Sequence, residues 1–463
     1  MTTDPIDDQP ARWSPWRVAS GLAILVVGVG LLWVMGAWQQ HIWDSGGTIM
    51  LGAAPLFGLW ETDWAPELIV AALLGGALVV WWPRLTRTLS WVGLLAGSWL
   101  VSLGWTLAIN LPGGWTGLGA PLDDPHEYLA AVRNSPTDPL VFIGRFVDEL
   151  RVYPIHVQGH PPGPVLGLEA LDRIGIRGAS GTALVLVGVA CLASPLVLIA
   201  VRALATEREA RRAAVFVGLT PSVLWVATSM DAVFAAVAVA SGTALALAAV
   251  RSGAWPRSGE GRCVAPGEGG ARPTWAGGAM AALGGTFAGL LVLGTYGAPL
   301  FLVPPGLCLA LLAWRRRWAP AGLAVLGAVV PVALMAWAGF WLLDGLRVTV
   351  TAYHEGIASL RPGGFFRLSN LLALAIAVGP VVLVSLPGRR RAGAWILVGG
   401  VLAGLAAAEV SGLSKGEVER IWLPFVPWLT VAAAAIPIRW QRPALAAQLA
   451  SGIVLAVTFA SPW

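Results

Sequence analysis

Long apolar stretches alternate with short polar segments along almost the whole chain. A helix needs about 20 apolar residues to cross the roughly 30 Å hydrocarbon core of a bilayer, and most stretches approach that length. The pattern predicts membrane spans near residues 18–38, 67–82, 89–110, 181–203, 212–228, 231–250, 276–295, 297–314, 319–343, 369–387, 394–411, 423–438 and 444–461. The first stretch is too long for a signal-peptide core and lacks an A-x-A cleavage site, so we expect an uncleaved span.

The composition agrees with a membrane protein. The chain is 57% apolar and 12% charged, with a mean hydropathy of +0.73, whereas a soluble domain carries roughly 25% charged residues. The expected fold is therefore an all-α polytopic membrane protein with about 13 transmembrane helices. The three cysteines lie in apolar runs or in a Gly/Arg-rich loop, and indicate neither a disulfide framework nor a metal site.

The distribution of charge predicts the orientation. With a cytoplasmic N-terminus, the inner segments contain 20 Arg and 7 acidic residues, and the outer segments contain 10 basic and 18 acidic residues. The net charge is then +13 inside and −8 outside, as the positive-inside rule requires. The net positive charge of the chain, +5, therefore reflects its membrane topology rather than nucleic-acid binding. The same orientation places all five histidines outside, at His41, His126, His156, His160 and His354.

The predicted spans divide the chain into four regions. These are an N-terminal part with two accessory helices at 1–88, a core at 89–250 containing a long outer loop at 111–180, a flexible cytoplasmic loop at 251–275, and a C-terminal membrane region at 276–463 with outer loops at 344–368 and 412–422. In the long outer loop, "DPHEYLAAV" and "DPLVFIGRFVDEL" each open with Asp-Pro and predict amphipathic helices on the membrane surface.

Four polar residues crowd the start of the long outer loop: Asp123, Asp124, His126 and Glu127. They fit a helix N-terminus, where acids in the first turn are favourable. They also fit a carboxylate that takes a proton from an acceptor hydroxyl or holds a metal. A helix N-terminus needs one capping acid, and this segment has three. The surplus favours a carboxylate that accepts a proton or holds a metal.

Two further positions also have both a structural and a functional interpretation. His160 precedes paired prolines in "HVQGHPPGP". The prolines either form a rigid turn with no further role or hold His160 in a fixed position over a cavity. Asp231 stands where an apolar helix begins at the outer surface. There it is either an N-cap or an acid that faces water or a partner.

Arginines on the outer side run against the positive-inside trend. The segment 353–370 contains His354, Glu355, Arg361 and Arg367, and Tyr296 lies in another outer turn. Forked guanidinium donors suit an anionic ligand such as a phosphate, although snorkelling or pairing with nearby acids would also explain them.

The last outer turn, "SKGEVERIW", is the most highly charged. Helical spacing pairs Glu417 with Arg420 and Lys415 with Glu419, as in a salt-bridged helix cap. A short outer turn needs only small polar residues, however, so four charges with the only lysine of the chain favour a phosphate- or sugar-binding rim.

The order of these features resembles the GT-C superfamily of membrane glycosyltransferases, especially the polyprenyl-phosphate-sugar-dependent enzymes of bacterial envelopes. The resemblance rests on "DDPHEYLAAV", on "GHPPGPVLGLEALDRIG" and on "TPSVLWVATSMD", and it covers about 89–250. In that family the acidic loop follows the first span. Here it follows the third, so we interpret the first two spans as an N-terminal addition.

The resemblance implies a GT-C-like bundle with its active site on the extracytoplasmic face of a bacterial-type plasma membrane. Asp124, four residues before Tyr128, corresponds best to the catalytic base, with Asp123 as the close alternative. Asp231 corresponds to the second acid. Arg420 and Lys415 would hold the lipid phosphate, with Arg361 behind them. Sugar and acceptor contacts are expected from His126, Glu127, Tyr128, His160, Tyr296, His354, Glu355 and Glu417.

The implied partners are a polyprenyl-phosphate-linked sugar donor, a lipid or cell-envelope glycan acceptor, and membrane lipids. No nucleotide-binding loop, dinucleotide fingerprint or metalloprotease motif occurs in the chain, so no cofactor is predicted and a divalent metal has no support. The alternatives are a secondary transporter or a flippase of lipids or lipid-linked sugars, which also place charges in a membrane cavity, and a non-catalytic envelope scaffold.

The orientation is testable by cysteine labelling in a cysteine-free background. Single cysteines at Ser135 and Ser359 are expected to react with an impermeant thiol reagent added to intact cells, whereas one at Ser258 is expected to react only after lysis. Labelling of the Ser258 position in sealed cells would reverse the topology.

Overall fold

The computed structural model describes residues 15–62, 64–134, 138–227, 229–256, 274–388 and 392–462. Ser135, Ser258, Cys263 and most of the loop predicted at 251–275 lie outside these ranges. The described chain is mainly helical, as the composition predicts.

The first half contains twelve described helices and three short strands. They are α1 (Pro15–Asp44), β1 (Gly52–Ala53), β2 (Leu56–Phe57), β3 (Leu59–Trp60), α2 (Leu68–Thr88), α3 (Trp91–Asn110), α4 (Gly114–Gly119), α5 (Tyr128–Asn134), α6 (Pro139–Arg145), α7 (Ile155–Gln158), α8 (Gly163–Arg173), α9 (Ala179–Cys191), α10 (Ala193–Leu204), α11 (Glu207–Ala213) and α12 (Met230–Arg251).

The second half adds α13 (Thr274–Gly294), α14 (Ala298–Phe301), α15 (Val303–Trp314), α16 (Trp318–Trp337), α17 (Leu342–Glu355), α18 (Gly363–Val378), α19 (Pro380–Ser385), α20 (Ala392–Ser411), α21 (Val418–Ile421), α22 (Val426–Leu429), α23 (Gln441–Thr458) and β4 (Phe459–Ala460). Short 3₁₀ turns occupy residues 120–123, 150–152, 221–225, 357–359, 423–425, 430–435 and 438–440. β1 pairs with β2, and β3 pairs with β4, both antiparallel.

The predicted count of about 13 spans is not confirmed. Within the described ranges, 8 helices are long and apolar enough to cross a membrane: Ala19–Asp44, Leu68–Thr88, Trp91–Asn110, Ala179–Leu204, Met230–Arg251, Trp275–Gly294, Trp318–Trp337 and Ala392–Ser411. A pair bent by 116°, Val418–Ala435 and Ile438–Thr458, raises the number to 9 if it is one span. The all-α membrane class therefore holds, with fewer full-length helices.

Glycine and proline explain the shortfall. The stretches at 212–228, 297–314, 369–387 and 423–438 are apolar enough to read as spans, but none forms one long helix. Gly218 takes a left-handed conformation (φ 75°), and the following turn opens at Pro221. Gly379 (φ 80°) and Pro380 separate α18 from α19 in the same way. A proline removes a backbone donor and ends the helix before it.

Both helices predicted in the 111–180 loop are present, and only the first of them begins later than predicted. Asp138 caps α6 by accepting a hydrogen bond from the Leu140 N–H at 2.9 Å, with Pro139 at the first helical position. α5 begins at Tyr128 instead of at the Asp-Pro, because Asp124 is extended and binds the His126 N–H in a local turn.

The connecting segments meet at two ends of the bundle. At one end, the start of α12 contacts the 412–422 turn, the long loop contacts α17, and the residues after α1 contact both α18 and the C-terminal strand. At the other end, α11 contacts the end of α2 and the turn before α23. The segments joined by these contacts therefore fall into two separate groups.

Small residues allow the closest helix contact. α13 packs on α16, where a Cβ at Gly285 would lie 1.8 Å from the Ala324 carbonyl oxygen, and one at Gly327 would lie 2.3 Å from that of Ala282. Only glycine permits this approach of two backbones, which is a common device in membrane helix packing.

Gly285→Ala is expected to lower the melting temperature in detergent. The added methyl group has no space between α13 and α16, and overpacking of this kind costs about 1–3 kcal/mol. Gly322→Ala, in α16 with open space around its Cα, is the matched control. It is expected to be neutral or slightly stabilising because alanine favours helix. Equal melting temperatures for the two variants would contradict the close packing.

Candidate functional site

A buried ion pair joins α12 to the 412–422 turn. The Arg420 Nη1 donates to Asp231 Oδ2 at 2.8 Å, and the two side chains are 6% and 4% exposed. Ser229, the N-cap of α12, accepts from the Asp231 N–H and donates to the Asp231 carboxylate. Since a buried charge requires compensation, Asp231 and Arg420 depend on each other.

A second acid and a second arginine extend the pair. Arg420 Nη2 donates to Glu417 at 3.2 Å, and the other oxygen of Glu417 lies 3.5 Å from Arg361 Nη1. Arg361 also donates to the backbone oxygens of Lys415 and Met50. Two carboxylates thus face two guanidinium groups, and the cluster is close to neutral.

The predicted pairs in "SKGEVERIW" have different outcomes. The contact between Glu417 and Arg420 is confirmed. The pairing of Lys415 with Glu419 is wrong, because the helix begins only at Val418. Lys415 Nζ donates to the Ala358 oxygen at 2.8 Å, and the buried Glu419 accepts from the Phe57 N–H at 3.0 Å.

The proline turn holds two histidines beside the acidic motif. His156 Nδ1 lies 2.6 Å from Glu127 Oε1, and both side chains are 10% exposed. His160 Nδ1 lies 2.8 Å from the His156 carbonyl oxygen and 2.9 Å from the Tyr128 hydroxyl. The sequence anticipated His160, Glu127 and Tyr128 as site residues but not His156, whose role depends on a contact 29 residues away.

This histidine cluster lies against the Asp231–Arg420 pair. The His160 ring packs on Phe234, one turn into α12, with 5.6 Å between ring centroids. Burial raises the pKa of Tyr128, and the negative charge of Asp231 raises it further. Burial lowers the pKa of His160, with Asp231 opposing that shift. The fold therefore brings three separate segments of the chain into one electrostatically connected cluster.

Asp123 and Asp124 occupy a different environment, at the mouth of an open pocket. Both side chains are about half exposed, and both line a cavity of about 590 Å³ bounded by Asn110, Leu224 and the chain around Ala456–Pro462. Asp123 is paired with Arg133. The His126 N–H, assisted by its ring at 2.7 Å, holds the pKa of Asp124 below its usual value.

The remaining predicted residues lie along α17 and the loop before α14. Glu355 pairs with Arg151 at 2.7 Å in solvent, and His354 is exposed beside the Tyr353 ring. The Tyr296 hydroxyl is packed against Gly345 of α17. Their described contacts tie α17 to its neighbours and do not include the Asp231–Arg420 pair.

Within the described ranges, no group of three or more His, Cys, Asp or Glu side chains is arranged to hold a metal ion. Comparison with protein-family models, with curated proteins and with solved structures finds no match to this chain. The functional argument therefore rests on the residues and their geometry.

Arg420→Gln is expected to lower the melting temperature strongly. Removing one partner of a buried pair leaves an uncompensated charge and costs about 3–5 kcal/mol, because Asp231 would lose its cation and Glu417 would keep only Arg361. The double variant Asp231→Asn/Arg420→Gln is expected to be more stable than Arg420→Gln alone. A double variant that loses as much stability as the two single losses together would show that the pair is not coupled.

Proposed function

We propose that the protein is a membrane glycosyltransferase. It would transfer a sugar from a polyprenyl-phosphate donor to a lipid or cell-envelope glycan on the extracytoplasmic face. The observation that carries the proposal is the joint presence, at one end of the bundle, of an open pocket lined by two carboxylates and a buried cluster of acids, arginines and histidines. Such a set suits a reaction that moves a proton and releases an anionic leaving group.

The carboxylates of the pocket suit the acceptor side of the reaction. The low pKa of Asp124 keeps it ionised at physiological pH, so it can accept a hydrogen bond from an acceptor hydroxyl. The pocket volume of about 590 Å³ falls within the range of small-ligand sites, about 300–1,000 Å³. Asp124 is the catalytic base that the resemblance implies, with Asp123 beside it.

Arg420, Arg361 and Lys415 differ in how well they can bind the departing phosphate. Arg420 and Arg361 are already paired with acids, so they are better suited to positioning the 412–422 turn than to free anion binding. Lys415 is partly exposed and uses one of its three N–H donors on Ala358. We therefore assign Lys415 the direct contact with phosphate and the arginines a supporting role.

A secondary transporter or flippase is the second candidate, and one observation favours it. A small cavity of about 50 Å³ lies deeper in the bundle, where the chain is not helical around Gly218. Its polar lining consists of Ser102, Thr106, Cys191, Ser194, Thr220, Ser222 and Thr430. Irregular backbone lining a polar cavity is typical of transport sites. The buried cluster of acids, arginines and histidines lies at one end of the bundle and not in this cavity, which favours an enzyme.

Mass spectrometry of lipids and envelope glycans from cells with and without the protein separates the two candidates. A glycosyltransferase predicts loss of one glycosylated product and accumulation of its acceptor or of the sugar-loaded lipid. A transporter predicts unchanged glycosylation once both substrates are supplied on the outer side. Purified protein in vesicles of phospholipid, given the accumulated donor and acceptor, then provides the activity assay.

Asp124→Asn is expected to lower the transfer rate at least about tenfold with the fold intact. A hydrogen bond to a charged group contributes about 1.5–3 kcal/mol, and each 1.4 kcal/mol is a factor of ten. Asp138→Asn, at the exposed cap of α6 in the same loop, is the control and keeps full activity. A loss of about 10²–10⁴ would identify Asp124 as the proton acceptor itself. Unchanged transfer in Asp124→Asn would remove the pocket from the proposed site.

A further inference from the structure

The geometry around His160 defines which of its nitrogens carries the proton. Nδ1 lies 2.8 Å from the carbonyl oxygen of His156, and a carbonyl oxygen only accepts hydrogen bonds. Nδ1 must therefore bear the hydrogen, and the Tyr128 hydroxyl at 2.9 Å shares it as a second acceptor. Both hydrogen bonds that His160 makes with the described residues use Nδ1, so Nε2 is the nitrogen that presents a lone pair.

The ring is also held in orientation. It packs edge-on to the Tyr128 ring and lies against Phe234, each with 5.6 Å between centroids. Pro161 and Pro162 restrict the backbone that follows, and α8 begins at Gly163. A backbone carbonyl on Nδ1 with a fixed ring is the arrangement that prepares Nε2 to accept a proton.

We propose that Nε2 of His160 is the proton acceptor in the glycosyl transfer described above. The inference rests on that proposed function. The acceptor hydroxyl oxygen forms a bond to the anomeric carbon, the bond from that carbon to the phosphate oxygen breaks, and its electron pair leaves with the phosphate. The hydroxyl proton passes to Nε2, and the resulting imidazolium returns it to water after the products leave.

The charges around His160 fit both protonation states. Asp231 at the start of α12 and Glu127 before α5 supply negative charge to the cluster, while Arg420 of α21 and His156 of α7 oppose a positive imidazole. Tyr128 of α5 is neutral because its pKa is raised. α13, which packs on α8, contributes no titratable side chain. Burial lowers the pKa of His160, so the ring is neutral near pH 7 and Nε2 carries a free lone pair.

Asp124 is less suited to the same step. Its side chain is half exposed, and the His126 N–H and ring stabilise its charged form. A carboxylate with a pKa below 3.8 binds a proton weakly. The proton transfer is therefore assigned to His160 and not to Asp124.

The pH profile of transfer distinguishes the two bases. A base must be unprotonated, so kcat/KM falls as the pH drops below its pKa. With His160 as the base, the acid limb of the profile lies below pH 6.5. With Asp124 as the base, it lies below pH 3.8. Asp124→Asn is expected to keep the acid limb at a reduced rate.

His160→Asn and His160→Gln separate chemistry from structure. The asparagine amide nitrogen replaces Nδ1 and keeps the donor to His156, so the melting temperature is expected to stay near that of the natural chain. It has no basic nitrogen, so kcat is expected to fall about 10²–10⁴-fold and the acid limb to disappear. Glutamine places its amide near the Nε2 position, loses the Nδ1 donor, and is expected to be less stable and equally inactive.

The assay uses polyprenyl phosphate carrying a radiolabelled hexose or pentose, with envelope lipid as acceptor, in vesicles containing the full chain. A stable His160→Asn protein with transfer within threefold of the natural rate would overturn the inference, as would an acid limb that remains unchanged in His160→Asn. Failure of the natural protein to transfer any of the sugars, with unchanged glycans in cells that lack it, would instead remove the proposed function.

Discussion

The salt bridge between Asp231 and Arg420 is the constraint on which the rest of this end of the bundle depends. Each group is almost fully buried, and neither charge is tolerable there alone. The pair holds the first turn of α12 against the 412–422 turn. Glu417 contacts both Arg420 and Arg361, so Arg361 is held in the same cluster. The histidine cluster then packs on the surface that this pair has fixed.

The N-terminal helices belong to this arrangement and are not merely attached to it. Residues between α1 and α2 supply the Met50 oxygen to Arg361, the Phe57 N–H to Glu419 and the Pro55 oxygen to Ser369. The division at residue 88 drawn from the sequence therefore separates groups that hydrogen-bond in the folded chain. Backbone atoms carry these contacts, and a sequence pattern of side chains gives no sign of them.

Local rules predicted much of the fold. Apolar length identified the eight long helices, and Asp138–Pro139 identified the start of α6. The i,i+3 spacing of Glu417 and Arg420 predicted their contact. Hydropathy alone overstated the number of spans, because it does not register a left-handed glycine such as Gly218. The pairing of Lys415 with Glu419 failed for a similar reason: periodicity assumed a helix where a turn is present.

The site was predictable as a set of residue types and not as a geometry. An acid at the start of an apolar helix pointed to Asp231, and the proline pair pointed to His160. Which partners they meet depends on contacts between distant segments, such as that of His156 with Glu127, and no local rule supplies those. Asp124 lines an open pocket, whereas Glu127, only three residues later, contacts a buried histidine. The turn at Asp124 separates the two environments.

The spacing of Asp231 and Arg420 along the chain has a consequence for biogenesis. They are 189 residues apart, and several membrane helices must be made between them. During synthesis α12 therefore enters the bilayer with its carboxylate still facing water or lipid head groups. The ion pair cannot form until synthesis has passed Arg420. A chain that ends before this residue leaves Asp231 without the cation that compensates its burial in the folded protein.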